Sequence, residues 1–154
     1  MIIGALEPTK GDILFNDKNI KENKNYIEKI AYVPGDVNLW GNLTGGEVID
    51  FMMAAKGYHN DDRKAALIER FRLDIHKKCK TYSKGNKQKV ALISAFLSDA
   101  DVFIFDEPTT GLDPLMERVF HEEIINLKNN NKTVLLSSHI LSEVEKLADR
   151  IAII

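Results

Sequence analysis

The sequence predicts an α/β fold built on a parallel sheet, and two observations carry this prediction. In the last third of the chain, apolar runs typical of buried strands alternate with helical patterns, which is the order expected of a parallel sheet. The region before it shows mostly helical patterns. The predicted strands of the last third are 102–105, 133–136 and 151–154, and the predicted helices between them are 114–128 and 141–148.

The change of pattern divides the chain into three predicted parts. Residues 1–39 contain two short strands, at 13–15 and 29–33, which are bounded by Gly, Asn, Asp and Pro. Residues 40–97 form a mostly helical subdomain, and residues 98–154 form the α/β core.

Three helices are predicted in the subdomain, each from apolar residues at helical spacing. The first begins after Thr44, because Thr44 and Glu47 have the spacing of a capping box, and Gly57 is its expected stop. The second covers 61–71 and the third covers 86–97.

The composition excludes several classes of protein. The 154 residues include 23 acidic and 21 basic side chains, for a net charge of −2, which argues against nucleic-acid binding and anionic-membrane binding. Apolar runs are only a few residues long, so no membrane-spanning segment or secretory signal is predicted. A single cysteine, Cys79, excludes an internal disulfide framework. These features are typical of a cytosolic protein.

The clearest chemical signal is the run V-F-I-F-D-E-P at 102–108. Its apolar residues predict a buried strand with Asp106 and Glu107 at the carboxyl end, where ligands bind in open α/β sheets. A carboxylate there can hold Mg²⁺, and a second one can polarise an attacking water. This pattern alone fits a strand with an acidic turn equally well.

Three further motifs decide between these interpretations. T-T-G-L-D-P follows at 109–114, Y-S-K-G-N lies upstream at 82–86, and S-S-H at 137–139 follows the next apolar strand. In order and spacing, the four motifs together resemble the nucleotide-binding domain of ABC (ATP-binding cassette) transporters. The likeness covers essentially the whole chain and is closest to subunits of the drug and ABC-2 exporter type.

The resemblance implies catalytic roles for three residues. Asp106 matches the Walker B aspartate and is the expected Mg²⁺ ligand. Glu107 matches the catalytic glutamate that acts as general base on water. His139 matches the switch histidine that steadies the γ-phosphate of ATP.

The resemblance also implies a nucleotide-binding set. Ser83, Lys84, Gly85 and Asn86 fall in the signature motif, just before a predicted helix whose N-terminus can bind phosphate. In the family this segment closes on ATP held by a second nucleotide-binding domain in a head-to-tail dimer. Asp113, in the D-loop, completes the expected set.

The implied fold is a P-loop NTPase core that is incomplete in this chain. No G-x-x-x-x-G-K-[ST] loop occurs, so we expect the first strand and the Walker A loop to be absent, with residues 1–6 ending the helix that follows that loop. Gly35 replaces the usual Q-loop glutamine. Either Asp36 beside it substitutes in part, or this loop serves only to couple to the membrane subunit. Lys84 replaces the first signature glycine, and Asn86 replaces the signature glutamine.

The expected function is ATP binding and hydrolysis that drive transport through a membrane permease. The implied partners are that permease and a second nucleotide-binding domain, and no nucleic acid is expected. The implied location is the inner face of the cell membrane, reached through the permease. We expect this chain to be inactive as an ATPase by itself, because it lacks a Walker A loop.

Two other functions stay open. One is a non-catalytic half-domain that binds a partner. The other is one lobe of a split-head DNA-maintenance ATPase, although a short helical insert precedes the signature here in place of a heptad coiled coil. Trp40 fits equally a groove that receives the permease and a structural anchor, and His59 and His121 receive no role.

Overall fold

The chain folds around a small parallel sheet with helices before, between and after its strands. A computed structural model describes residues 2–4, 9–22 and 24–153. Five strands and five α-helices lie in these residues. The strands are β1 (Leu14–Phe15), β2 (Lys18–Asn19), β3 (Ile30–Val33), β4 (Val102–Asp106) and β5 (Thr133–Ser137). The helices are α1 (Gly45–Ala55), α2 (Asp61–Arg70), α3 (Lys84–Phe96), α4 (Pro114–Asn129) and α5 (Leu141–Leu147).

The three longer strands form one parallel sheet in the order β3-β4-β5. The register pairs Val33 with Phe105 and Asp106 with Ser137. Because parallel strands end at the same edge of a sheet, the segments that follow all three strands emerge together. The predicted parallel α/β fold is confirmed, and this edge is where the candidate site forms.

The N-terminal part contains a hairpin that the sequence revealed only in part. Its first arm, β1, lies within the predicted strand at 13–15, and its second arm, β2, was not predicted. Asn16 and Asp17 join the arms and both have positive φ, at 49° and 60°, which is the conformation that a type I′ hairpin turn requires. A 3-10 helix at Lys24–Lys29 then leads into β3.

The helical region begins with the predicted cap. The Thr44 hydroxyl accepts a hydrogen bond from the Glu47 amide at 3.2 Å, and the Glu47 carboxylate accepts one from the Thr44 amide at 2.6 Å. This capping box starts α1, as its spacing indicates. The third helix, α3, begins at Lys84 with Ser83 as its N-cap, two residues before the predicted start.

A cluster of phenylalanines forms the centre of the core. Phe105 of β4 packs against Phe96 of α3 and Phe120 of α4, with ring-centroid distances of 5.6 and 5.4 Å, and Phe96 and Phe120 are 6.1 Å apart. Phe103 and Phe71 extend the cluster on either side. Residues of the helical region and of the sheet therefore share one apolar core.

The structure corrects the last predicted strand and limits another expectation. Residues 151–153 form no strand, Ile151 and Ile153 are exposed, and residue 154 lies outside the described residues. A strand needs a hydrogen-bonding neighbour, and none pairs with 151–153 in the described part of the chain. Of the helix end expected at 1–6, residues 2–4 form a turn and bend, and the rest is not described. No helix in the ranges described has the length and apolar character needed to cross a bilayer.

Candidate active site

The two adjacent carboxylates at the end of β4 are held by the end of β5. Ser137 lies opposite Asp106 in the sheet, and its hydroxyl donates to Asp106 Oδ1 at 2.5 Å. The Glu107 amide donates to both the carbonyl and the hydroxyl of Ser137, at 3.2 and 3.1 Å. Ser137 therefore orients one carboxylate through its side chain and the next residue through its backbone.

Glu107 and His139 meet at this edge of the sheet. Glu107 Oε2 lies 2.6 Å from His139 Nδ1, across segments 32 residues apart in sequence. The backbone of Glu107 has φ of 46°, a conformation that costs energy for a residue other than glycine and that clusters at functional positions. The His139 side chain is 72% exposed and the Glu107 side chain 33%, so solvent and ligands can reach both.

The segment after β3 borders the same carboxylates. A Cβ atom built on Gly35 would lie 3.3 Å from the Asp106 carbonyl oxygen and 3.6 Å from Glu107 Cβ. Glycine therefore leaves space next to both carboxylates that a larger side chain would occupy. Asp36, the neighbouring acidic residue, is exposed.

The donor set suits a hard cation such as Mg²⁺. Asp106 and Ser137 present carboxylate and hydroxyl oxygens, which are the ligands that Mg²⁺ prefers. The described residues contain no group of three or more His, Cys, Asp or Glu side chains arranged around a common metal position. A site with few protein ligands fits Mg²⁺, because this ion keeps several waters and binds substrate phosphates.

The predicted signature residues lie at the start of α3. The Ser83 hydroxyl accepts a hydrogen bond from the Asn86 amide at 3.3 Å and so caps the helix, and both Ser83 and Lys84 are exposed. Gly85 packs directly on the loop after β4, since a Cβ atom there would lie 2.2 Å from the Gly111 carbonyl oxygen. The predicted signature segment therefore contacts the loop that begins at the two adjacent carboxylates.

Asp113 has a structural role in this loop. Its Oδ1 atom accepts hydrogen bonds from the amides of Leu115 and Met116, both at 3.1 Å, and so caps α4. The nearly buried Lys89 of α3 interacts with the Asp113 charge. Burial lowers the pKa of Lys89, and the Asp113 charge opposes that shift. The additional nucleotide contact expected of Asp113 stays a prediction.

The structure thus brings Asp106, Glu107 and His139 together and places the signature segment beyond the loop that follows them. Sequence reasoning missed the polar residues behind these groups. Ser137 was visible only as part of the S-S-H motif, and nothing local indicated that His121 contacts a glutamate of α5. The missed residues are Thr109, His121, Ser137, Ser138 and Glu143.

Comparison with known proteins gives consistent matches along the chain. A protein-family model described as "ABC transporter" matches residues 1–110. The ABC transporter ATP-binding protein NatA of Bacillus subtilis (strain 168) is 34% identical over 161 residues, which cover 100% of this chain and 65% of NatA. The ABC-type transporter ATP-binding protein EcsA of the same organism is 34% identical over 159 residues, covering 99% of this chain and 64% of EcsA.

A solved structure agrees with the sequence matches. The ATP-binding subunit of an ABC transporter superposes with a TM-score of 0.89 at 34% identity, over 96% of this chain and 64% of that one. The chain therefore spans less than two thirds of the length of each of these three proteins.

Proposed function

This chain belongs to the ABC transporter family, and from that premise we propose that it is part of an ATP-binding subunit whose hydrolysis of ATP drives a substrate through a membrane permease. The observation that carries the proposal is the contact between Glu107 and His139 beside Asp106, at the carboxyl edge of the parallel sheet. The likeness of residues 109–114 and 137–154 to subunits of the drug and ABC-2 type favours an exporter.

Glu107 is the proposed general base. Its backbone is fixed by two hydrogen bonds from its amide to Ser137, and its Oε2 atom faces His139. We propose that the remaining oxygen, Oε1, accepts the proton of the attacking water. A base placed in this way contributes about 10²–10⁴-fold to a hydrolysis rate. His139, whose Nδ1 atom contacts Glu107, steadies the γ-phosphate of ATP.

Asp106 and Ser137 are the proposed Mg²⁺-binding residues. The hydroxyl of Ser137 holds the Asp106 carboxylate in place, so that one oxygen is oriented by the protein before any ion binds. When bound, Mg²⁺ neutralises part of the phosphate charge. Gly35 keeps the space beside the Asp106 oxygens open. Asp36 directly follows Gly35 in the sequence and is exposed.

The signature segment acts on a second nucleotide-binding domain in this proposal. Ser83, Lys84, Gly85 and Asn86 lie at the N-terminus of the 13-residue helix α3, where free amides and the helix dipole favour phosphate. Lys84 is exposed and adds a positive charge. We propose that this face contacts ATP bound by the other domain of a head-to-tail dimer, with Asp113 at the same interface.

The permease is the proposed membrane partner, and it would keep the protein at the inner face of the membrane. Trp40 and Phe51 form an exposed aromatic pair whose ring centroids are 5.3 Å apart. Trp40 lies five residues after Gly35, so this exposed aromatic surface is close in sequence to the segment beside the carboxylates. We therefore assign the pair to the permease interface.

The substitution Glu107→Gln tests the proposed function. We expect MgATP turnover of the full-length protein to fall by about 10²–10⁴-fold, because glutamine cannot accept the proton. Equilibrium binding of a fluorescent ATP analogue should be unchanged. The full-length protein is used because these 154 residues contain no G-x-x-x-x-G-K-[ST] loop.

The matched control is Glu145→Gln, which changes the same charge at an exposed position of α5. Turnover by the Glu107→Gln protein at the wild-type rate would show that Glu107 is not the base. Absence of MgATP turnover in the wild-type protein would favour the non-catalytic, partner-binding function instead.

A further inference from the structure

Glu143 is a buried carboxylate that joins three segments around the candidate active site. It lies in the first turn of α5 and is 5% exposed. The hydroxyls of Thr109 and Ser138 both donate to its Oε2 atom, at 3.3 and 2.8 Å. Its Oε1 atom lies 3.1 Å from His121 Nε2 of α4. The carboxylate therefore contacts the loop after β4, the segment after β5, and α4.

Stability alone does not explain a carboxylate at this position. Burying a charge is costly unless it is paired and hydrogen-bonded, and an apolar replacement of such a group is often neutral or stabilising. In the part of the chain that the structure describes, no Lys or Arg forms an ion pair with Glu143. Its partners are two hydroxyls and an imidazole, so what it provides is a set of directed bonds.

The two hydroxyls that bind Glu143 belong to residues close in sequence to Glu107 and His139. Thr109 follows Glu107 by two residues, and Ser138 immediately precedes His139. The Ser138 hydroxyl also accepts a hydrogen bond from the Ile140 amide at 3.0 Å, so it is fixed on both sides. We propose that Glu143 is a positioning residue that holds Glu107 and His139 at contact distance from behind.

The geometry of the sheet alone does not fix this distance. The bond from the Glu107 amide to the Ser137 carbonyl aligns the ends of β4 and β5. The His139 ring lies two residues further on and is 72% exposed, so surrounding atoms do not enclose it. Ser138, held by Glu143, is the residue that determines how the chain turns between the strand and His139.

The inference rests on the proposed ATPase function, and it is tested by Glu143→Gln in the full-length protein. A neutral amide oxygen is a weaker acceptor than a carboxylate oxygen, so the bonds from the two hydroxyls weaken, and an N–H group replaces the oxygen that faces His121 Nε2. We expect kcat for MgATP to fall by about 10–100-fold, as for outer groups that orient catalytic ligands. The KM for MgATP should change by less than about threefold. Glu145→Gln, which removes the same charge from the exposed side of α5, should leave both constants unchanged.

A double-mutant cycle separates positioning from general destabilisation. If Glu143 acts through His139, adding Glu143→Gln to a His139→Ala protein should lower kcat by less than about threefold. If the two effects multiply instead, Glu143 acts independently of His139 and the inference is wrong. An unchanged kcat in the single variant would also overturn it.

Two further measurements keep the inference testable if turnover or folding fails. Ser138→Ala removes a single bond to Glu143, and it should lower kcat in the same direction by about threefold or more. The ¹³Cε1 resonance of His139 reports the environment of the ring without any turnover. It should move in Glu143→Gln and stay in place in Glu145→Gln. If the resonance does not move in Glu143→Gln, the inference is wrong. If it moves but the full-length wild-type protein does not turn over MgATP, the ATPase function is refuted and the positioning role of Glu143 stands.

Discussion

The strands β4 and β5 each carry one side of the candidate active site, but they are covered to different degrees. β4 is the central strand, and Phe103 and Phe105 are each 1% exposed. β5 is one of the two outer strands of the described sheet, and Leu135 in its middle is 51% exposed. Both were predicted as buried strands from their apolar composition, and only β4 is deeply buried.

The difference indicates that two kinds of force position the two proposed catalytic residues, Glu107 and His139. Glu107 follows a strand that is fixed by close aromatic packing, which tolerates little displacement. His139 follows a strand with less apolar cover. The segments around it are fixed by the hydrogen bond from the Glu107 amide to Ser137 and by the bond from the Ser138 hydroxyl to Glu143. Apolar substitutions should therefore affect stability through β4, and polar substitutions should affect the site through β5.

The largest expected effect comes from removing a core ring of β4. Phe105→Ala should lower the free energy of unfolding by about 3–5 kcal/mol, because it leaves a cavity between Phe96 and Phe120. Leu135→Ala on β5 should lower it by less than about 1 kcal/mol, since half of this side chain is already in water. Urea unfolding of both full-length variants measures the difference. Equal shifts would contradict the contrast between the strands.

This contrast also shows what the sequence could and could not predict. Apolar periodicity and caps are local signals, so they predicted β4, β5 and the capping box of α1. Burial of β4 relative to β5 depends on which strand is central, and this is a property of the whole sheet. The strand expected at 151–154 failed for the same reason, because an apolar run does not show whether a neighbouring strand is present.

The residues of the candidate site divide in the same way, into those that local sequence predicts and those that it does not. Asp106, Glu107 and His139 were predicted from adjacent residues and from family resemblance. The bond between Ser137 and Asp106 and the bond between Glu143 and Thr109 join residues 31 and 34 positions apart. Hydrogen bonds over such separations depend on the register of the sheet and on helix packing, which a single sequence does not reveal.

A smaller effect is expected from a buried ion pair on the side of β4. Glu123 of α4 is 1% exposed and accepts hydrogen bonds from both Arg63 and Arg70, and the same helix covers β4 through Phe120. Arg63→Met should lower the free energy of unfolding by about 3 kcal/mol, at the low end for breaking a buried pair because Arg70 remains.

The control for this pair lies on the outer face of α4. Arg118→Met breaks an exposed pair with Glu122 at 3.1 Å, one turn apart on the helix. It should change stability by less than about 0.5 kcal/mol. If the two variants unfold at the same urea concentration, the buried pair contributes no more than a surface pair, and α4 is held to β4 by apolar packing alone.

The smallest predicted effect concerns the loop after β4 where it meets α3. In Gly85→Ala the new Cβ atom would lie 2.2 Å from the Gly111 carbonyl oxygen, so the loop or the helix must move. We expect a loss of about 1–3 kcal/mol, as for overpacking, together with a lower rate of MgATP turnover. Gly46→Ala is the matched control, because Gly46 is also the second residue of its helix and its nearest contact would be 3.3 Å. If Gly85→Ala is no more costly than Gly46→Ala, the loop after β4 yields as easily as the segment at Ile75 that Gly46 faces. Aromatic packing would then fix the strand itself but not the residues that follow it.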